Sequence, residues 1–197
     1  MSAWAKPHEA AVTALCFVVA ATIIVVPASG TFSIWLVMLL IAVLASWVAY
    51  QDLLDFTIPD NAVAAISALG FALRISDSHF AGEPLTGSLG RIALDITLSG
   101  GGLLAIREIY FRSRGWDGLG FGDVKLGAAG GILVGAAGFS WALFGASLVA
   151  IGIMLGLQLQ RKTLDASQRL AFGAILAPAL WITWVVEQLP RLTLLDN

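Results

Sequence analysis

The 197-residue chain is 58% hydrophobic and 12% charged, and its net charge is −2. Soluble domains carry roughly 25% charged residues, so this composition excludes an ordinary water-soluble globular protein and is typical of a chain that folds in lipid. The single cysteine, Cys16, excludes a disulfide framework and a cysteine-based metal knuckle. Because one span needs roughly 20 residues, the length predicts one domain over residues 1–197, an all-α, polytopic transmembrane bundle of six or seven membrane helices.

Two uncharged runs open the chain, at residues 10–26 and 31–50, with the turn-forming residues 27–30 between them. We interpret both as spans joined by a tight turn. The first is interpreted as a retained helix and not as a secretory signal, because Glu9 accompanies Lys6 in its flank and the second span follows at once.

The next apolar regions differ in length. Residues 61–73 form a short run that ends at Arg74 and precedes a polar loop over residues 77–84. Residues 88–111 predict a full span, because their charges lie near the two ends and the centre, residues 96–106, is uncharged.

The stretch of residues 126–160 has no charge and is too long for one membrane helix. Its small residues at 135–140 predict a break, with a short helix before it and a full span over residues 141–159. A last span is predicted over residues 170–186, where Pro178 is tolerable because neighbouring membrane helices can satisfy the freed backbone groups.

Basic residues indicate the orientation, because cytoplasmic loops carry an excess of Lys and Arg. With a cytoplasmic amino terminus, only Arg74, Arg91 and Arg191 fall outside. The cytoplasmic side then holds eight basic residues: Lys6, Arg107, Arg112, Arg114, Lys125, Arg161, Lys162 and Arg169. This topology predicts that Asp52 and Asp123 both lie at cytoplasmic helix ends.

Acidic side chains at membrane depth are costly and are functional candidates by default. The candidates are Asp52, Asp95, Glu108 and Asp123, and two of them have a predicted structural partner. Arg91 precedes Asp95 by one helical turn, which predicts an i,i+4 ion pair, and Arg112 follows Glu108 at the same spacing.

The other two candidates, Asp52 and Asp123, have no opposite charge at helical spacing. Lys125 is interpreted as a headgroup anchor. The two histidines, His8 and His79, fall in loops predicted on opposite faces, so a histidine-based triad or metal site is not expected, and a serine nucleophile would lack its base.

A glycine cluster, Gly115, Gly118, Gly120 and Gly122, leads directly into Asp123. Glycines beside a carboxylate permit unusual backbone angles and let an extended peptide lie close to the acid. The alternative is a flexible connector followed by a charged helix cap.

Two carboxylates that converge in a glycine-lined, partly dehydrated site favour aspartic protease chemistry. Like charges about 3 Å apart cannot both ionise, so such a pair shares one proton. The ionised member, Asp52 or Asp123, activates a water that attacks the peptide carbonyl, and the protonated member hydrogen bonds the carbonyl oxygen. Neither a metal nor a cofactor is expected.

Three segments carry a resemblance to the type IV prepilin peptidases, a branch of the GxGD membrane aspartic proteases. They are QDLLDFTIPD at residues 51–60, GLGFGDVKLGAAGG at 118–131 and, more weakly, AFGAILAP at 171–178. In the third segment this chain has Ala174 at a position where the family usually has proline. The resemblance covers about residues 46–178. Its matching positions are Asp52, Pro59, Asp60, Gly120, Gly122, Asp123, Lys125 and Leu126.

The resemblance implies an integral protein of the bacterial inner membrane, with lipid and not nucleic acid around it. It implies that Asp52 and Asp123 cut prepilins or pseudopilins at the cytoplasmic face, after a glycine that precedes their hydrophobic helix. Asp55 and Asp60 are candidates for attracting the basic leader. Gly120, Gly122, Lys125 and Pro59 are further candidates for shaping the substrate site.

One departure concerns the paired CxxC motifs in the amino-terminal extension of long family members, which also methylate the new amino terminus. This chain has one cysteine and no such insertion. It therefore resembles the short, peptidase-only forms, and we expect no methyltransferase activity.

Other classes stay open. An ion- or proton-coupled transporter also uses membrane-embedded aspartates and glycine-broken helices, although no convincing inverted repeat is found. A non-enzymatic membrane scaffold would need neither unpaired aspartate. A presenilin-type protease would carry a PAL-like motif, of which APAL at residues 177–180 is a partial echo, but the spacing of Asp52 and Pro59 favours the prepilin peptidase branch.

Overall fold

The computed structural model describes residues 31–115, 118–160 and 170–195. Within these ranges the chain is all-helical, as predicted, with five helices and no strand. The span predicted over residues 10–26 lies outside the described residues. The helices are α1 (Thr31–Asp55), α2 (Asp60–Phe80), α3 (Leu85–Arg114), α4 (Phe121–Gln160) and α5 (Gly173–Leu195).

Three of these helices contain a segment long and apolar enough to cross a membrane: Ile34–Asp55, Leu85–Arg114 and Phe121–Leu159. Their outer faces carry large hydrophobic side chains, such as Leu39, Ile109 and Trp141, that are mostly exposed. Soluble monomers rarely expose so much contiguous apolar surface. The bundle is therefore compatible with a membrane protein.

Helix α1 continues beyond the predicted span and ends at Asp55, so that Asp52 lies in its last turn. The helix stops where Phe56 adopts a left-handed conformation (φ 52°), which is uncommon for a bulky residue. The buried side of α1 follows helical spacing: Ile34, Val37, Met38, Ile41, Leu44, Ala45, Val48 and Asp52.

Helix α2 also extends further than predicted. Asp77 and His79, which were assigned to a polar loop, lie in its last turns, and the chain turns at Gly82 (φ 70°). Pro59 precedes the first residue of α2 and fixes an extended entry without any side-chain cap. Asp60 forms the first residue of the helix.

Helix α4 reverses direction at Gly135, whose backbone is non-helical (φ 71°, ψ 170°). An ideal Cβ on Gly127 or Gly130 would lie 3.3 or 3.1 Å from the ring of Phe139. Residues 127 and 139 would be about 18 Å apart in a straight helix, so the chain must fold back on itself. The predicted break is confirmed, and it separates a first limb, residues 121–134, from a second limb, residues 136–160.

The first limb of α4 packs tightly among its neighbours through small residues. An ideal Cβ on Gly100 of α3 would lie 2.7 Å from Ala128 Cβ. One on Gly70 of α2 would lie 2.8 Å from Leu133 Cα, and one on Gly130 would meet Leu180 of α5. Small residues let membrane helices approach backbone to backbone. The limb is thereby held between three helices.

The reversal of α4 is stabilised by a polar cluster around Asp95. One carboxylate oxygen of Asp95 is 2.5 Å from Arg74 Nη1, and the other accepts a hydrogen bond of 2.9 Å from the Ala136 amide. The predicted pair of Arg91 with Asp95 is wrong, because Arg91 pairs with Glu83. Asp95 instead satisfies an amide at the start of the second limb, which has no partner within its own helix.

Replacing Asp95 with Ala should therefore destabilise the protein by about 2 kcal/mol or more, because Arg74 and the Ala136 amide lose a charged acceptor. The matched variant, Glu83→Ala, removes a more exposed ion pair and should cost at most about 1 kcal/mol. Thermal unfolding of the purified proteins in detergent measures both. Equal losses would contradict the assigned role of Asp95.

Gly100→Ala should destabilise the contact between α3 and α4, whereas Gly102→Ala, with no atom within 4 Å of its ideal Cβ, should not. Both substitutions raise helix propensity by about 1 kcal/mol, so the difference between the unfolding free energies of the two variants reports the contact with Ala128. We expect a difference of about 1 to 3 kcal/mol in unfolding free energy, typical of overpacking.

The rescue variant for this test combines Gly100→Ala with Ala128→Gly, which transfers the methyl group from α4 to α3. Unfolding in detergent should return toward the wild-type midpoint. If Gly100→Ala and Gly102→Ala unfold alike, the close contact is absent.

Candidate active site

Asp52 lies on the buried side of α1 and is 5% exposed. Its Oδ2 accepts a hydrogen bond of 2.8 Å from the amide of Ala174. Ala174 is the second residue of α5, so this amide lacks a partner within its own helix. The side chain of Asp52 therefore caps α5 from another part of the chain.

Asp123 lies in the first turn of α4 and is 9% exposed. Its amide donates to the carbonyl oxygen of Gly120 at 3.2 Å, which closes the first helical turn. Its Oδ1 is buried and accepts no hydrogen bond from any residue in the described ranges. The two aspartates thus have different surroundings although they are both carboxylates.

The two carboxylates meet beside Gly173, the first residue of α5. An ideal Cβ on Gly173 would lie 3.0 Å from Asp52 Oδ2 and 3.2 Å from Asp123 Oδ1. The two oxygens therefore lie within about 6 Å of each other, the sum of those distances, and one water with hydrogen bonds of roughly 2.6 to 3.2 Å can bridge them. Both residues line one cavity of about 500 Å³.

The two glycines of the GxGD segment provide space and not unusual backbone angles. An ideal Cβ on Gly120 would lie 3.1 Å from Asp123 Oδ2, and one on Gly122 would lie 3.1 Å from Ile58 Cβ. Neither has a positive φ, whereas Gly115 does (φ 76°) where it ends α3. The expectation of unusual angles holds for Gly115 and is wrong for the two glycines beside Asp123.

The remaining predicted residues divide into two groups. Pro59, Asp60 and Lys125 line the cavity, and Lys125 Nζ is 2.7 Å from Asp60 Oδ1, which joins α4 to the start of α2. Lys125 also lies 5.4 Å from the ring centroid of Phe121. Asp55 is exposed and does not line the cavity.

Two parts of the site were not singled out from the sequence. Ile58 is partly buried, and its side chain would touch a Cβ on either Gly122 or Gly173, so it covers the region next to both carboxylates. The amide of Ala174 is the second. Proline is usual at this position in the resembling family and could not donate the hydrogen bond that Ala174 makes.

Among the described residues, no group of three or more His, Cys, Asp or Glu side chains is placed to bind a metal ion. The charged groups that line the cavity are Asp52, Asp60, Asp123 and Lys125. The arrangement can hold a water between two carboxylates and can give and take protons there.

Comparison of the chain with protein-family models, with curated proteins and with solved structures finds no match.

Proposed function

We propose that this protein is a membrane aspartic endopeptidase that removes the short basic leader of type IV prepilins or pilin-like proteins. It acts at the cytoplasmic face of the bacterial inner membrane, within a bundle of six or seven spans. The observation that carries the proposal is the meeting of two buried carboxylates, Asp52 and Asp123, across a gap that one water can bridge.

Peptide hydrolysis by such a pair is balanced without another reagent. The ionised carboxylate takes a proton from the water as the water oxygen bonds to the peptide carbon, and the protonated carboxyl group gives its proton to the carbonyl oxygen. The C–N bond then breaks as the first carboxyl protonates the leaving nitrogen. The second carboxylate recovers a proton from the diol, and both groups return to their starting states.

The charge of the cavity supports a cationic substrate segment. Lys125 is already paired with Asp60, so the aspartate pair supplies the net negative charge of the lining. Asp55 adds an exposed carboxylate at the end of α1, next to the loop that lines the cavity. A basic leader would be attracted to this end of the bundle.

The distribution of arginine supports a cytoplasmic site. Arg112 and Arg114 lie in the last turn of α3, at the end of the bundle where α4 begins with Asp123. Arg74 lies away from this end, beside the reversal of α4. An excess of basic residues is typical of cytoplasmic ends. Four further residues used in the orientation argument lie outside the described residues: Lys6, Arg161, Lys162 and Arg169.

An ion- or proton-coupled transporter is the second candidate, and the break in α4 at Gly135 favours it, because transporters often bind ions at broken helices. The carboxylate nearest this break is Asp95, which is already engaged by Arg74 and by the Ala136 amide. Ion uptake into proteoliposomes without any prepilin cleavage would support this candidate instead of the peptidase.

Asp52→Asn and Asp123→Asn should each abolish leader removal, because either change leaves the pair without a second ionisable carboxyl group. The measurement is co-expression with candidate prepilins in membranes, with leader loss read as a gel shift. Expression and membrane insertion should be unchanged, because Asn has nearly the same size as Asp.

The matched control is Glu108→Gln, which removes one charge of an exposed pair with Arg112 and should leave cleavage within about twofold of wild type. Continued processing by either Asp52→Asn or Asp123→Asn would refute the aspartate pair.

The proposed topology is tested by single cysteines in a Cys16→Ser background. Exposed positions suit the purpose: Asp55→Cys and Arg114→Cys at the end with the aspartate pair, and Phe80→Cys at the opposite end. An impermeant thiol reagent should label Asp55→Cys and Arg114→Cys only after it gains access to the cytoplasm. The same reagent should label Phe80→Cys in intact cells. The reverse pattern would overturn the orientation.

A further inference from the structure

The aspartate pair is asymmetric in its hydrogen bonds. Asp52 meets the backbone amides of Gly173 and Ala174 at the start of α5, and its Oδ2 accepts a hydrogen bond from Ala174. Asp123 meets the backbone amide of Gly120, but its buried Oδ1 accepts no hydrogen bond from the described residues. Both oxygens lie beside the same residue, Gly173. The difference therefore lies in the donors that each carboxylate meets.

The start of a helix favours negative charge, because its first amides point outward and its dipole is positive there. Asp52 is bound by such an amide, and a charge-assisted hydrogen bond of this kind is stronger than a neutral one. A buried carboxylate oxygen without a donor favours the protonated form, because an isolated buried charge is costly. The surroundings thus separate the roles of Asp52 and Asp123.

Other charged groups around the pair do not reverse this asymmetry. Besides the pair itself, the charged side chains that line the cavity are Asp60 of α2 and Lys125 of α4, and Lys125 Nζ lies 2.7 Å from Asp60 Oδ1. Helix α5 contributes the Ala174 amide, which is not charged.

We propose that Asp52 carries the negative charge and acts as the base, that Asp123 holds the proton and acts as the acid, and that the Ala174 amide is the positioning group that fixes this division. The inference rests on the proposed peptidase function. Asp52 then takes the proton of the attacking water, and Asp123 gives its proton to the carbonyl oxygen of the substrate. Ala174 acts through Asp52 and does not touch the substrate.

Infrared difference spectra recorded over a pH series test which carboxylate holds the proton, without any substrate. Wild type minus Asp123→Ala should contain the band of a protonated carboxylic acid up to a higher pH than wild type minus Asp52→Ala. Alanine brings no hydrogen-bond donor of its own into the gap. The opposite assignment of the two spectra would overturn the proposal, even if the protein cleaves prepilins as proposed.

The role of Ala174 is tested by Ala174→Pro, because proline is tolerated in the first turn of a helix and its ring carbon replaces the amide hydrogen, so that Asp52 loses this donor. The matched control is Ala174→Gly, which keeps that hydrogen. In the wild type and in Ala174→Gly, the acidic limb of the pH–rate profile for leader cleavage should coincide. In Ala174→Pro it should move to higher pH by about one unit, a tenfold change in proton affinity.

The two proposals fail in different ways. If the wild type cleaves no prepilin at any pH, the peptidase function is wrong. If the wild type cleaves and Ala174→Pro has the same acidic limb as Ala174→Gly, the peptidase function stands and the positioning role of Ala174 is wrong.

Discussion

The close approach of backbones along the first limb of α4 is the constraint on which the rest of the bundle depends. Gly70 and Gly100 let α2 and α3 approach this limb, and Gly130 makes room for Leu180 of α5. Lipid supplies no hydrophobic force between helices, so this contact area must provide much of the attraction. Because Asp123 lies in the first turn of this limb, the same packing brings its carboxylate against α1 and α5.

Burial of two carboxylates in a membrane bundle raises the question of how the charge is tolerated. A pair that shares one proton carries one charge and not two. Asp52 has an amide donor at the start of α5, and the cavity of about 500 Å³ has room for water around Asp123. This donor and this space for water lower the cost of one negative charge at this end of the helices.

The sequence predicts the parts of the fold that local patterns determine. Asp52 continues the apolar stripe of α1 at helical spacing, so its inward direction could be predicted, and Gly135 stood out as a break in a run too long for one span. The partner of Asp95 could not be predicted, because Arg74 and the Ala136 amide reach it only after α4 reverses. Hydrogen bonds from backbone amides, such as that of Ala174, leave no trace in side-chain chemistry.

The reversal of α4 also has a consequence for the surrounding lipid. The first limb, residues 121–134, is about 21 Å long at 1.5 Å per residue, whereas a bilayer core is about 30 Å thick. With Asp123 near one surface of a bilayer, as the proposed function requires, the turn at Gly135 would lie inside the hydrocarbon region, where backbone groups find no water. Arg74 and Asp95 would take the place of that water, and a bilayer beside them would thin locally around an ion pair held below its surface.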